Sequence, residues 1–216
     1  MDSLKRGFDA GLALLGLALL WPLLAAIAIR IRLCDGAPVI FSQRRMGRFG
    51  RPFLIRKFRS MVVDAPRLGN SITAAGDKRV TRTGRFLRRF KLDELPQLWN
   101  VLVGEMSIVG PRPEVPEYVT LEDARWREVL SLRPGITAPA SLAYLGEESM
   151  LARADDPERF YRESILPAKL ELNLQYVRER GFISDLRVIG ETLFHCFART
   201  PANPEIPGER LFEEPT

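Results

Sequence analysis

The sequence predicts a helix-rich α/β fold. One domain holds a small β-hairpin, an N-terminal helix embeds in the membrane, and amphipathic helices suit a membrane surface. Three observations predict it. Residues 10–29 carry no charge. Two short runs with aromatic and β-branched residues, 39–43 and 53–58, flank a basic, glycine-bearing segment. The last third places apolar residues at helical spacing. Together they divide the chain into a membrane helix over 1–33, a cytosolic-face domain over 34–198, and a loose tail over 199–216 rich in Pro and Glu.

The uncharged segment comes first. As a straight helix, residues 10–29 would reach about 30 Å, one hydrocarbon thickness. Three readings fit. A signal peptide would start on Lys5 and Arg6 and be cut at Ala26-Ile27-Ala28. Arg30 and Arg32 would then follow the cut directly, and positive charge there opposes export. A plain span is the second reading. The third is a re-entrant helix that enters and leaves by one leaflet. Basic residues flank both ends, and the positive-inside rule puts both flanks on the cytoplasmic side. Pro22 takes a backbone donor from the Ala18 carbonyl and marks a break in the membrane helix. The re-entrant reading is adopted. It predicts that Pro22→Ala favours a spanning helix.

Residues 44–52 then join the two strands of the hairpin as a long basic loop. Residues 64–77 are polar and read as a loop, and 83–91 as a short basic helix. A second helix covers 92–102, with Asp93, Glu94 and Pro96 in its first turn, where all three are favoured. Gly110-Pro111-Arg112-Pro113-Glu114 cannot be helix interior and forms a rigid loop. A helix over 117–130 ends at Arg133-Pro134-Gly135. Asp156-Pro157 starts a longer one, with Phe160, Leu166, Leu170 and Leu174 on its apolar side. Residues 183–197 carry Leu186, Ile189, Leu193 and Phe197. Such stripes serve a core or a membrane surface.

The net charge is +5. Residues 30–60 hold nine cations against Asp35 alone, and 78–91 hold seven against none. The positive charge therefore sits beside the hydrophobic segment. Nucleic acid, anionic lipid and phosphate-rich substrates all suit such a balance. No nucleic-acid module accompanies it, so nucleic acid is not an expected partner. Two distant cysteines and one histidine make neither a disulfide framework nor a zinc centre.

Asp93 and Glu94 are adjacent carboxylates at a predicted helix start, where the dipole keeps them ionised. An N-cap and its neighbour is the plain reading. Their context adds another. Arg88, Arg89 and Lys91 precede the pair, and Arg112 follows in the proline-locked loop. A diphosphate substrate needs such a set: fixed guanidinium groups, magnesium ligands and an anionic nucleophile. A carboxylate can attack phosphorus and form an acyl phosphate. No Walker loop, dinucleotide fingerprint or Ser/His/Asp arrangement competes.

These residues resemble a known family, the small monotopic phosphoglycosyl transferases or bacterial sugar transferases. The matching stretches are Pro38-Val39-Ile40-Phe41-Ser42-Gln43-Arg44-Arg45-Met46-Gly47, then Lys57-Phe58-Arg59-Ser60-Met61. The most specific is the run LDELPQLWNVLVGEMSIVGPRPE over residues 92–114; Arg133-Pro134-Gly135-Ile136-Thr137 follows. The likeness covers residues 1 to about 198. Residues 139–186 look most like the minimal members that start N-linked glycan assembly on a diacetylated amino sugar.

The resemblance implies a re-entrant helix, an Asp-Glu dyad, magnesium and a ping-pong reaction on the cytoplasmic face of the bacterial inner membrane. The substrates would be a UDP-sugar, an N-acetylated amino sugar by preference, and undecaprenyl phosphate, within membrane lipid. By that likeness Asp93 is the nucleophile and Glu94 the metal-binding partner, with Asp93 beside the metal. Arg112 holds phosphate, and Lys57, Arg59 and Arg88 match basic positions near the site. A homodimer is compatible with the sequence, which shows no seam for one. Two departures stand out. Many members have Ser before the membrane proline, where this chain has Trp21. After Thr137 many read Gly-Trp-Ala-Gln, where this chain reads Ala138-Pro139-Ala140-Ser141. Transfer of a hexose phosphate is the alternative enzyme reading, and an inactive membrane scaffold the alternative of another class.

Overall fold

The structure, a computed structural model, describes residues 2–69 and 72–197. The expected loose tail lies outside them. The first helix, α1, runs from Asp2 to Cys34 and is helical at every position, Pro22 included. The expected break is thus one missing backbone donor, without interruption of the helix. Among the described residues α1 alone is long and apolar enough to cross a membrane.

Both ends of α1 nevertheless pack on the same domain. Near the start, Lys5 donates to Asp185 at 2.6 Å, and Arg6 donates to the carbonyls of Val101 and Leu102 at 2.5 and 2.7 Å. Asp9 accepts from the Ser107 hydroxyl at 2.7 Å. Ala13 joins a core with Val101, Met106 and Val109, and Gly16 lies against Leu98. Near the far end, Ile27 and Ile31 pack with Phe58 and Leu87. The outer face leaves Leu14, Leu15, Leu19, Trp21 and Leu33 exposed.

The hairpin forms as the sequence predicts. Strand β1, Ile40–Met46, pairs antiparallel with β2, Pro52–Phe58, in a register from Ile40 opposite Phe58 to Met46 opposite Pro52. The strands absorb Arg44 and Arg45 because the turn needs only residues 47–51. A 3₁₀ turn at Arg48–Gly50 reverses the chain through positive φ at Phe49 and Gly50. The basic helix α2, Arg82–Arg89, is capped by the Thr81 hydroxyl, which accepts from Gly84 N at 2.8 Å.

The helix expected to begin at residue 92 begins later. Lys91 takes a left-handed conformation, φ 55°, and Leu92–Glu94 make a single 3₁₀ turn. Helix α3 spans Gln97–Val103. Pro96 explains the delay, since it has no N–H to return to the Leu92 carbonyl. The bonds span three residues instead, Leu95 N to Leu92 O at 3.3 Å and Leu98 N to Leu95 O at 3.1 Å.

Strands β3, Ser107–Val109, and β4, Gly135–Thr137, form a parallel pair that the sequence reading missed. At three residues each they are too short to show periodicity. Their backbones meet closely at Gly110 and Gly135: a Cβ on Gly135 would lie 2.2 Å from Gly110 N. The helix expected over 117–130 shrinks to α4, Ala124–Val129. Asp123 caps it by accepting from Arg125 N, and Pro116 fixes a separate 3₁₀ turn upstream. Helices α5, Pro139–Ala143, and α6, Glu147–Leu151, fill a stretch that carried no expectation.

The long helix expected from Asp156 is present. Asp156 caps α7, Pro157–Phe160; a π turn at Tyr161–Ile165 leads into α8, Leu166–Glu179. Pro167 cannot donate to the Glu163 carbonyl, which accounts for the widened turn. Helix α9, Phe182–Phe197, matches the predicted last helix.

Candidate active site

Three elements converge on the acidic pair. The first is the 3₁₀ turn that carries Asp93 and Glu94, 7% and 8% exposed. Its place is fixed by Asn100, three residues into α3 and fully buried. Asn100 accepts from Arg56 N at 3.1 Å and donates to the Leu54 carbonyl at 2.8 Å, so α3 is tied to β2. That brings Lys57, on β2, to 2.9 Å from Glu94 Oε1.

The third element is the loop after β3. Gly110 N donates to Thr137 O at 3.0 Å, and Gly135 N to Pro111 O at 2.9 Å. On the other side Met46 N donates to Glu114 O at 2.9 Å, and Arg45 to Pro113 O at 3.2 Å. A loop strapped at both ends and stiffened by two prolines presents Arg112 to Glu94. Its Nη1 donates to Oε2 at 3.2 Å and its Nη2 to Oε1, a two-pronged pair.

The two carboxyls have opposite surroundings. Burial pushes Asp93 above its ordinary range, and the Glu94 charge adds to the effect, against Lys57, Lys91 and Arg88. Burial acts on Glu94 in the same sense, but Arg112 and Lys57 outweigh it and hold that carboxyl well below the usual range. Lys57 is drawn down by burial, with Glu94 opposing. Glu94 in turn raises Arg112. Glu94 is thus a fixed anion between two cations. Asp93 Oδ1 is buried and has no hydrogen-bond partner among the described residues.

That oxygen is a ready ligand for magnesium, which proteins hold with one or two carboxylates while phosphates complete the shell. Glu94 can join only by sharing oxygens with Lys57 and Arg112. The described residues contain no group of three or more candidate metal ligands. Two adjacent carboxylates are the ligand number with which proteins hold magnesium together with substrate phosphates.

Not every basic residue expected here arrives. Arg88 does: its charge acts on Asp93, while its guanidinium donates to Glu148 on α6 at 2.5 Å. Arg59 does not contact the pair. It is 4% exposed and donates through Nη2 to the carbonyls of Asp35 and Gly36 at 2.5 and 2.9 Å, closing the end of α1. Lys91, named in the sequence analysis with Arg88 and Arg89 as basic context for the pair, acts on Asp93 by its charge. Arg45 and Asn100 were not singled out as site residues. The signal for Asn100 was a lone polar residue among apolar ones in 98–103, and Arg45 was one cation among many.

The model of a family described as bacterial sugar transferase matches residues 1–199. The chain is 36% identical over 208 residues to the UDP-glucose:undecaprenyl-phosphate glucose-1-phosphate transferase of Escherichia coli K12, covering 92% of this chain and 41% of that protein. It is 35% identical over 195 residues to the UDP-N-acetylgalactosamine-undecaprenyl-phosphate N-acetylgalactosaminephosphotransferase of Aeromonas hydrophila, covering 88% of this chain and 43% of that one. A Bacillus subtilis 168 protein, provisionally named an undecaprenyl-phosphate N-acetylgalactosaminyl 1-phosphate transferase, is 47% identical over 116 residues, 54% of this chain and 65% of its own. The chain thus spans less than two thirds of the length of each.

Proposed function

This chain belongs to the bacterial sugar transferase family, and on that premise we propose that it transfers a sugar-1-phosphate from a UDP-sugar to undecaprenyl phosphate. The observation that carries the proposal is the division of labour in the acidic pair: Glu94 is clamped by Lys57 and Arg112, while Asp93 Oδ1 is buried and unpaired among the described residues.

In the first half-reaction an Asp93 carboxylate oxygen attacks the sugar-bearing phosphorus. The bond from that phosphorus to UMP breaks, and UMP leaves with the electron pair. The product is an aspartyl phosphosugar. In the second, an oxygen of the lipid phosphate attacks the same phosphorus and the Asp93 carboxylate leaves. A polyprenyl diphosphate sugar results. A carboxylate whose burial keeps its electron pair available is the better nucleophile once ionised. Arg112 and Lys57, anchored by Glu94, would hold the phosphate oxygens, with Arg88 added on release from Glu148. Magnesium, bound with the diphosphate, would offset its charge, held by Asp93 with Glu94 adjoining.

The same reading puts the protein on the cytoplasmic face of the bacterial inner membrane without crossing it. Support comes from α1, whose two ends both pack on one domain while its outer face is apolar. The names of the Aeromonas and Bacillus relatives favour an N-acetylated amino sugar; that of the Escherichia relative favours glucose.

Intact-protein mass spectrometry decides. The detergent-purified protein is incubated with magnesium and a panel of UDP-sugars, without lipid. A gain of one sugar phosphate, absent in Asp93→Asn, is expected, and its mass separates acetamido sugar from hexose. An Asp93→Asn variant that still gains the mass, or that releases UMP within tenfold of the parent, would sink the assignment. A folded protein that releases no UMP from any donor when lipid acceptor is present would be an inactive scaffold.

A further inference from the structure

Gln97 opens α3 and is 1% exposed. Neither its amide nitrogen nor its amide oxygen has a hydrogen-bond partner among the described residues. A buried amide left unpaired is costly, and an apolar side chain of the same shape would serve the fold better. Asp93 Oδ1 is in the same condition. Gln97 follows Asp93 by four residues, across the end of the 3₁₀ turn and the start of α3, where Leu95 and Pro96 have φ −54°, ψ −36° and φ −62°, ψ −15°. So short a compact segment lies within the reach of a glutamine side chain. A donor without an acceptor and an acceptor without a donor thus share one turn of chain, and rotation of the two side chains would bring them together.

We propose that Gln97 is a positioning residue for Asp93: its amide N–H donates to Asp93 Oδ1 in the reacting state and turns Oδ2 toward the phosphorus. This rests on the reading of Asp93 as the nucleophile. Hydrogen bonds at active sites are commonly loose before substrate binds and tighten afterwards. The same N–H serves the second half-reaction. When the bond from Asp93 to phosphorus breaks, the electron pair returns to the carboxylate, and Gln97 stabilises the returning charge. A carboxylate offers about four lone-pair sites, so a metal ion and Gln97 do not compete for Asp93.

The test uses the full chain in detergent with Gln97→Met, which keeps length and removes the N–H, and Gln97→Glu, which keeps shape and an acceptor. Three quantities are read: the rate of adduct formation by rapid-quench intact mass, the KM for the UDP-sugar, and the thermal unfolding midpoint. For Gln97→Met the adduct rate should fall about 10²-fold, the cost of a nucleophile misplaced by about 1 Å. KM should stay, and the midpoint should hold or rise. Gln97→Glu, which adds an anion beside Asp93, should be slower still. A purely structural Gln97 would lower rate and midpoint together, and that result overturns the proposal. So does a Gln97→Met variant as fast as the wild type. If the wild type itself forms no adduct with any donor, the nucleophile reading falls and the role of Gln97 falls with it.

Discussion

Asp93 and Glu94 share one backbone turn, yet a cation pair holds only the second. Removing one cation should expose that dependence. Arg112→Met leaves Glu94 buried with Lys57 alone, and breaking a buried pair costs about 3 kcal/mol. The expected outcome is a lower unfolding midpoint together with an adduct rate down about 10²-fold. Arg112→Lys should recover little of either, because a single ammonium cannot replace the two-pronged contact. The depressed Glu94 carboxyl has a second consequence. Its contribution to stability is complete above the ordinary glutamate value of 4.5 and is lost as pH falls toward its folded value. Denaturant midpoints from pH 7 down to 3 should therefore drop more steeply below about 4.5 in the parent than in Glu94→Gln. A parallel decline in the two would contradict the clamp. At this scale the sequence was informative where the chemistry is local. The acidic pair, Arg112 and Lys57 stand in recognisable stretches and meet as expected. Arg59 looked equivalent to Lys57 from two residues away, and alternation alone would put both on one face; it lies just past β2, where the chain has left the strand, and it turns to the end of α1.

Elements were legible in proportion to their length. The hairpin, α8 and α9 each span enough residues for a period to show. The parallel pair β3 and β4 does not, and it is what holds the Arg112 loop. Pro96 moved the start of α3, and Asp123 moved that of α4, by bonds that propensity alone does not rank. For α1 the sequence weighted Pro22, whereas the structure puts the restraint at Lys5, Arg6 and Asp9. The expectation for Pro22→Ala changes accordingly. Restoring one backbone bond in an already continuous helix should leave the N-terminus where it is. Paired Lys5→Ala and Asp9→Ala should release it. Cysteine at position 3, labelled from the periplasmic side of intact cells, checks both. Strong labelling of the Pro22→Ala protein would return the decisive role to the proline.

Over the whole molecule, apolar side chains lie exposed on α1, α2 and α9, among them Leu19, Trp21, Phe86, Ile183 and Phe194. Exposed arginines stand near them: Arg30 and Arg32 on α1, and Arg82, Arg85 and Arg89 on α2. Near an anionic leaflet each is worth about 1 kcal/mol. Co-sedimentation with vesicles should therefore rise with anionic lipid content and fall with salt. It should weaken about fivefold for each of the three α2 arginines changed to Gln, the ratio that 1 kcal/mol represents. Binding indifferent to lipid charge would leave the apolar face as the sole attachment. The composition announced both features, but not which of these side chains would stay exposed.

The bond from Lys5 to Asp185 joins positions 180 apart. On the ribosome α1 is made well before the carboxylate that secures its start. Arg6 and Asp9 find their partners earlier, at Val101, Leu102 and Ser107, whereas Lys5 waits for α9. The last contact that holds the start of the helix is made only when α9 arrives. A chain released before α9 would carry the membrane segment without its latch, and the cell would meet it as an unsecured hydrophobic helix, the kind of species that quality-control proteases remove.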